Sequence, residues 1–359
     1  MKPIRAFVID ESVTTYKIIR SIINEDLSLR LVGSAHTSEE ALQAVQITEI
    51  DVIALSVDMP KINGRLLTQA IMEVTSVPIV ILAKPNVHST AKTVQAISSG
   101  AVDFIKIPSN YDPNDRIFKK ECTMKLQSAS TAKPKPKRTA VHSNEQEVEK
   151  ESIDVTVSNA HQDTIVAIGS STGGPRALEE VLNHIPSDLD AAIVIVQHMP
   201  ARFTRSLADR LNRITPITVK EAIDKEIVKK HTAYIAPGDF HMKIKQKDQM
   251  FIELSQDEER LGHRPSVNVL FESLATVKDV NIIAIILTGM GKDGAEGILK
   301  IKQKNEKAII LAESKETAVI YGMPQAAMKT NLVDQSLPVH EIGKTVVHFI
   351  QKLGGLING

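Results

Sequence analysis

Short apolar runs recur along this chain, each followed by a stretch with helical spacing, and that alternation admits few folds. In the first half the runs are Ile4–Ile9, Leu29–Val32, Asp51–Leu55, Val77–Leu82 and Val102–Ile105. Helical patterns fall near 12–24, 38–47, 64–74, 88–99 and 113–125. Strand then helix, repeated, predicts a parallel sheet covered on both faces, with its chemistry at the carboxyl ends of the strands. The second half repeats the grammar with Thr164–Ile168, Ala192–Val196, Thr232–Ile235, Asn281–Leu287 and Ala308–Leu311. Lys243–Lys245 and Met250–Leu254, joined by a polar turn, predict a small hairpin.

Residues 126–160 break the pattern with Pro, Ser and alternating charge blocks. Such a composition buries too little apolar surface to fold, so a flexible linker is expected there. The domains are therefore placed at 1–125 and 161–359. Formal net charge is zero, which gives no global attraction to nucleic acid or an anionic membrane. A single cysteine, Cys122, excludes a disulfide within the chain and is expected to be packed or at a helix end. No run is long enough to span a bilayer and the N-terminus carries no signal-peptide pattern, so a cytoplasmic protein without membrane insertion is expected.

Three polar residues stand just past apolar strands of the second half. Gly169-Ser170-Ser171-Thr172-Gly173 fits a strand–turn–helix nucleophile elbow with Ser171 at its apex. Ala192–Val196 runs on into Gln197-His198, and Asn281–Leu287 leads into a Gly-rich turn carrying Asp293. In a parallel sheet those ends share one edge, so a serine, a base and an orienting carboxylate converge. The order Ser…His…Asp differs from that of the α/β-hydrolases. A backbone N–H of the turn Thr288-Gly289-Met290-Gly291 is a candidate oxyanion donor. Each residue also has a plainer reading: Ser171 and Asp293 as helix caps, His198 as a strand-end histidine, the Gly-rich turn as a weak phosphate cradle.

Six ordered motifs resemble the chemotaxis protein-glutamate methylesterase (CheB) family. They are Gly-Ser-Ser-Thr-Gly-Gly-Pro (169–175), Gln-His-Met-Pro (197–200), Tyr-Ile-Ala-Pro-Gly-Asp (234–239), His-Arg-Pro-Ser-Val-Asn-Val-Leu-Phe (263–271), Leu-Thr-Gly-Met-Gly-Lys-Asp-Gly (287–294) and Tyr-Gly-Met-Pro (321–324). The resemblance implies an α/β chain of two doubly wound parallel-sheet domains: a receiver-like (βα)5 unit and a Rossmann-like methylesterase unit. It implies hydrolysis of glutamyl methyl esters on chemoreceptors, with methanol released, and in many members deamidation of receptor glutamines. It places the nucleophile on Ser171, the base on His198, the carboxylate on Asp293 and the oxyanion donor on the backbone of Met290. Thr172 and Arg264 are carried as substrate-binding candidates. Asn268 stands where many relatives have Asp, with no evident consequence. No cofactor is implied. The expected partners are methyl-accepting chemoreceptors, and a chemotaxis histidine kinase or another protein at the receiver surface.

The first half resembles a response-regulator receiver, through Ile-Asp-Glu-Ser (9–12) and Gly-Ala-Val-Asp-Phe (100–104). Its departures from that pattern are informative. Relatives read Leu-Asp-Val-Glu-Met-Pro at the third strand; this chain reads Leu55-Ser56-Val57-Asp58-Met59-Pro60, so Ser56 occupies the phosphoacceptor position. The switch Ser/Thr position holds Ala83, and Lys106 lies one residue early, before Ile107 and Pro108. Together these predict a pseudo-receiver that has lost aspartyl phosphorylation. Asp10 and Glu11 remain as an acidic pair, expected to be solvated turn acids without a bound metal. Two other functions compete with the hydrolase: a non-catalytic receptor- or kinase-binding adaptor, and a nucleotide-binding regulator using the Gly-rich turn.

Overall fold

The computed structural model describes residues 2–59, 64–84, 86–132 and 163–354. Most of the expected linker lies outside them. The first domain contains β1 (Ile4–Ile9), α1 (Val13–Glu25), β2 (Leu29–Ala35), α2 (Ser38–Ile47), β3 (Val52–Ser56), α3 (Gly64–Val74), β4 (Ile79–Ala83), α4 (Val87–Ser98), β5 (Asp103–Lys106) and α5 (Arg116–Ser130). Its five strands pair in the order β2-β1-β3-β4-β5, all parallel. Strands β3 and β4 are buried along their whole length, as a sheet covered on both faces requires.

Helix α5 runs to Ser130, five residues into the stretch assigned to the linker. The physical reason is packing: Leu126 and Ala129 are fully buried against the first domain's core. The Ser-Ala-Ser composition that suggests a linker says nothing about that face. Cys122 lies in the same helix, fully buried, and burial pushes its thiol well above the ordinary range.

The second domain contains β6 (Asp163–Ser170), α6 (Gly174–Asn183), β7 (Ala192–Gln197), α7 (Phe203–Ile214), β8 (Thr218–Glu221), β9 (Thr232–Ile235), β10 (His241–Gln246), β11 (Met250–Ser255), α8 (Val267–Leu274), β12 (Val280–Ile286), α9 (Ala295–Lys304), β13 (Ile309–Glu313), α10 (Gly322–Met328), β14 (Gln335–Leu337) and α11 (Val339–Gly354). Its seven-stranded sheet has the order β14-β13-β12-β6-β7-β9-β8, again parallel throughout. Strands β10 and β11 form the expected antiparallel hairpin. The strand order reverses at β6: β7 lies on one side and β12 on the other. In an open parallel sheet that reversal opens a crevice at the carboxyl ends, where such folds bind their ligands.

The two domains touch through apolar and polar contacts. Phe104 of β5 stacks on Phe203 of α7, with ring centroids 4.5 Å apart and an 18° interplanar angle. Gly173 donates its backbone N–H to the carbonyl of Val102. Side chains of both domains join in one continuous buried cluster.

Candidate active site

Strand β6 delivers Ser171 to the crevice. Its last residues are sealed from below by α8, because Val267 packs directly on Gly169 where any larger residue would collide. Beyond the strand the chain turns through Gly173, whose φ of 80° is in the left-handed region that glycine tolerates. The turn is held by three hydrogen bonds, to Thr288 and Gln197. The Ser171 N–H donates to Thr288 O at 3.0 Å, Gln197 Nε2 donates to Ser171 O at 2.9 Å, and the Ser170 hydroxyl donates to Gln197 Oε1 at 2.7 Å. The helix-cap reading of Ser171 is not what is found: the N-cap of α6 is Gly173, without a side-chain cap.

His198 follows β7 directly. Its Nε2–H donates to Asp293 Oδ2 at 2.9 Å, and both side chains are almost fully buried. Its other ring nitrogen, Nδ1, is buried and has no hydrogen-bond partner. With its proton on Nε2, the ring presents an Nδ1 lone pair as the base. No hydrogen bond joins Ser171 Oγ to His198 here; such contacts are commonly long before substrate binds.

Asp293 is where two helices meet. Its Oδ1 accepts from Ser266 Oγ and the Asn268 N–H, each at 2.9 Å, and its Oδ2 accepts from the Val267 N–H at 2.7 Å as well as from His198. Burial opposes the charged form, yet the bonds from His198 and from the N-terminus of α8 hold the carboxyl below its usual range. It does not cap α9; Asn268 does, its Oδ1 accepting from the N–H groups of Gly294 and Gly297 at 2.9 and 2.8 Å. The side chain at position 268 therefore fixes the turn that carries Asp293 through an oxygen that an Asp would also supply, and its Nδ2 finds no partner.

The Thr288–Gly291 turn lies against the serine. Thr288 bonds Ser171 and Thr172 of the elbow and Ile320 of the following loop. Its N–H donates at 2.7 Å to Glu313 Oε2, a fully buried carboxylate at the end of β13. The Met290 N–H makes no hydrogen bond to another described residue.

The substrate-binding candidates are engaged by the protein. Thr172 Oγ1 donates to Asp103 Oδ2 of the first domain at 2.5 Å. Arg264 Nη1 donates to the carbonyls of Gln256 and Asp257, at 3.2 and 2.9 Å, rather than to a carboxylate. Met290 is also covered from the first domain, its sulfur in contact with the Ser128 hydroxyl. In the sequence His263 is only the first residue of the 263–271 motif. It lies flat on the ring of His198, with centroids 3.9 Å apart and an interplanar angle of 14°. Nothing in the sequence spacing signals that contact.

In the first domain Ser56 ends β3 and is buried. Asp10 is not the solvated turn acid expected: it is 1% exposed, Ser12 N–H bonds its Oδ1, and Oδ2 has no partner. Burial pushes its carboxyl up to about 6. Glu11 Oε2 is likewise buried without a partner. Among the described residues no group of three His, Cys, Asp or Glu side chains is placed to hold a metal.

Residues 166–346 match the family model described as CheB methylesterase, and residues 6–113 match the response regulator receiver domain. A protein-glutamate methylesterase/protein-glutamine glutaminase of Oceanobacillus iheyensis is 43% identical over 97% of this chain and 99% of its own length. The Bacillus subtilis protein of the same name is 36% identical over 97% of this chain and 99% of its own. Among solved structures, the CheB methylesterase catalytic domain of Thermotoga maritima covers 52% of this chain and 98% of its own, at 42% identity and a TM-score of 0.51.

Proposed function

The chain belongs to the CheB methylesterase family, and on that premise we propose that its second domain hydrolyses glutamyl methyl esters of chemoreceptors through Ser171, His198 and Asp293. The observation that carries this reading is the His198–Asp293 hydrogen bond, with Nδ1 of the same ring left without a partner. Ser171 Oγ attacks the ester carbonyl carbon while His198 Nδ1 takes its proton. The oxyanion forms against the Met290 N–H, where loss of one such donor typically costs about 3 kcal/mol. His198 then returns the proton to the departing methoxide, giving methanol and an acyl-enzyme. Water, deprotonated by His198, releases glutamate and restores Ser171. Asp293 holds the ring tautomer and the imidazolium that forms. A glutamine amide follows the same course with ammonia as leaving group, in keeping with the relatives' second activity.

The first domain is a pseudo-receiver in this reading, because Ser56 cannot form the acyl phosphate that an aspartate accepts. In its place, contacts from Asp103 and Ser128 onto Thr172 and Met290 set access to the crevice. Receptor methyl-acceptor helices, and a kinase or another protein at the receiver surface, are the partners, and the cytoplasm is the compartment. Among the described residues no helix is long and apolar enough to cross a membrane.

The test is methanol release from methylated receptor membranes by the full chain and by Ser171→Ala. Release by the first and none by the second supports the reading. Receptor binding without turnover by either moves the chain to the adaptor class. Incubation with radiolabelled acetyl phosphate tests the pseudo-receiver, since a hydroxylamine-labile label on residues 1–132 is the result that overturns it.

A further inference from the structure

The side chain stacked on His198 has no role in the mechanism above. His263 stacks on His198 almost parallel, and its position is fixed by its own backbone: His263 and Arg260 exchange N–H···O bonds across an isolated bridge, at 3.0 and 3.1 Å. The His198 ring is therefore clamped on one edge by Asp293 and on one face by an imidazole. An edge contact alone does not fix the plane of the ring, which torsion about its Cβ–Cγ bond can still tilt. A flat partner at 3.9 Å opposes that tilt.

We infer that His263 is a positioning residue for the base: its stacked imidazole holds the ring plane that aims His198 Nδ1 at Ser171, and faces the imidazolium that forms when Ser171 is deprotonated. The inference rests on the hydrolase reading given above. Charge is consistent with it. The groups facing His263 are His198 at the end of β7, Asp293 before α9 and Lys125 of α5. Burial, and then the His198 charge, lower His263 to about 4, so it stays neutral where the enzyme works. A neutral ring over a cation is attractive, whereas a second imidazolium would repel the first. The role asked of His263 is a face and not a proton, so a phenyl ring should fill it.

The experiment uses the full chain, His263→Phe and His263→Ala, with Ser171→Ala as blank. The probe is a fluorophosphonate, which labels an activated serine and needs no receptor. Methanol release against receptor concentration gives kcat and KM alongside. The expected result is that the Phe variant keeps the labelling rate and kcat within about threefold of wild type, while the Ala variant loses at least about tenfold in both with KM little changed, as expected for misaligned general-base catalysis. Thermal melts show whether each variant is folded; if the Ala variant is not, a loss of about tenfold or more in a folded His263→Phe overturns the inference by itself. Wild-type labelling and kcat in His263→Ala, or a loss in a folded His263→Phe equal to that in the Ala variant, overturns the inference. Absence of labelling in the wild type strikes instead at the serine-hydrolase reading, and labelling without methanol release strikes at the substrate.

Discussion

Three buried carboxyl groups show how the number of donors decides the sign of a pKa shift. Asp293 accepts four hydrogen bonds and is held low. Glu313 accepts two, from Thr288 N–H and Thr317 Oγ1, and burial wins, raising it to about 7. Asp10, with one oxygen unpartnered, rises to about 6. The consequences for stability have opposite sign. Asp293, lowered on folding, contributes stability above its ordinary range that is lost as pH falls through its folded pKa. Glu313 is raised from 4.5, so between that value and about 7 the folded state binds the extra proton and stability falls as pH rises. Glu313→Gln keeps an acceptor for Thr288 and removes that titration. Its stability should exceed wild type's at pH 8 by up to about 3 kcal/mol and match it near pH 5, read by urea unfolding at both values. A gap that does not change with pH removes Glu313 from the account.

At the scale of elements, the site is assembled by helix ends. The N-terminus of α8 supplies two N–H groups to Asp293, and Asn268 from its first turn caps α9. This works only because α8 lies directly on the end of β6, with Val267 seated on Gly169. Gly169→Ala should push α8 off the strand, costing about 1–3 kcal/mol as an overpacked core position does, with a lower urea midpoint and an unchanged slope. An unchanged midpoint would mean that α8 has slack there. Element boundaries were legible where a segment is periodic or continuously apolar; α2, α3, β1 and the short but largely buried β9 fall on the residues the pattern predicts. Strands β8 and β14 were missed. They are four and three residues long, with only Val219 fully buried between them, so neither carries a readable alternation. The end of α5 was misplaced because its last turn is stabilised by burial against another element, and local propensity does not report that.

For the whole molecule, the first domain reaches Thr172 beside Ser171 and Met290 of the Gly-rich turn, through Asp103 and Ser128. On the proposed function, these contacts are expected to limit the access of a bulky receptor helix. Asp103→Ala removes the bond to Thr172 and leaves Lys125 its partners Glu121 and the Phe104 carbonyl. If that bond favours the closed arrangement by about 1 kcal/mol, its loss shifts the balance about fivefold toward open. Methanol release should rise accordingly while fluorophosphonate labelling, by a small probe, changes less. Equal or slower release would show that closure does not limit turnover.

The sequence by itself determined the alternating strands and helices, the placement of Ser171, His198 and Asp293 beyond strand ends, and the presence of Ser56 at the end of β3. These are properties of residue identity and short-range spacing, which the chain carries without folding. Tertiary structure alone decided that Nε2 meets Asp293, that His263 covers the base, that Asp10 is buried, that Asn268 caps α9, and that Thr172 is occupied by Asp103. Those partners lie far apart along the chain or on different domains. Their meeting depends on strand order and on how the helices pack, and neither is written in the spacing of the residues that meet.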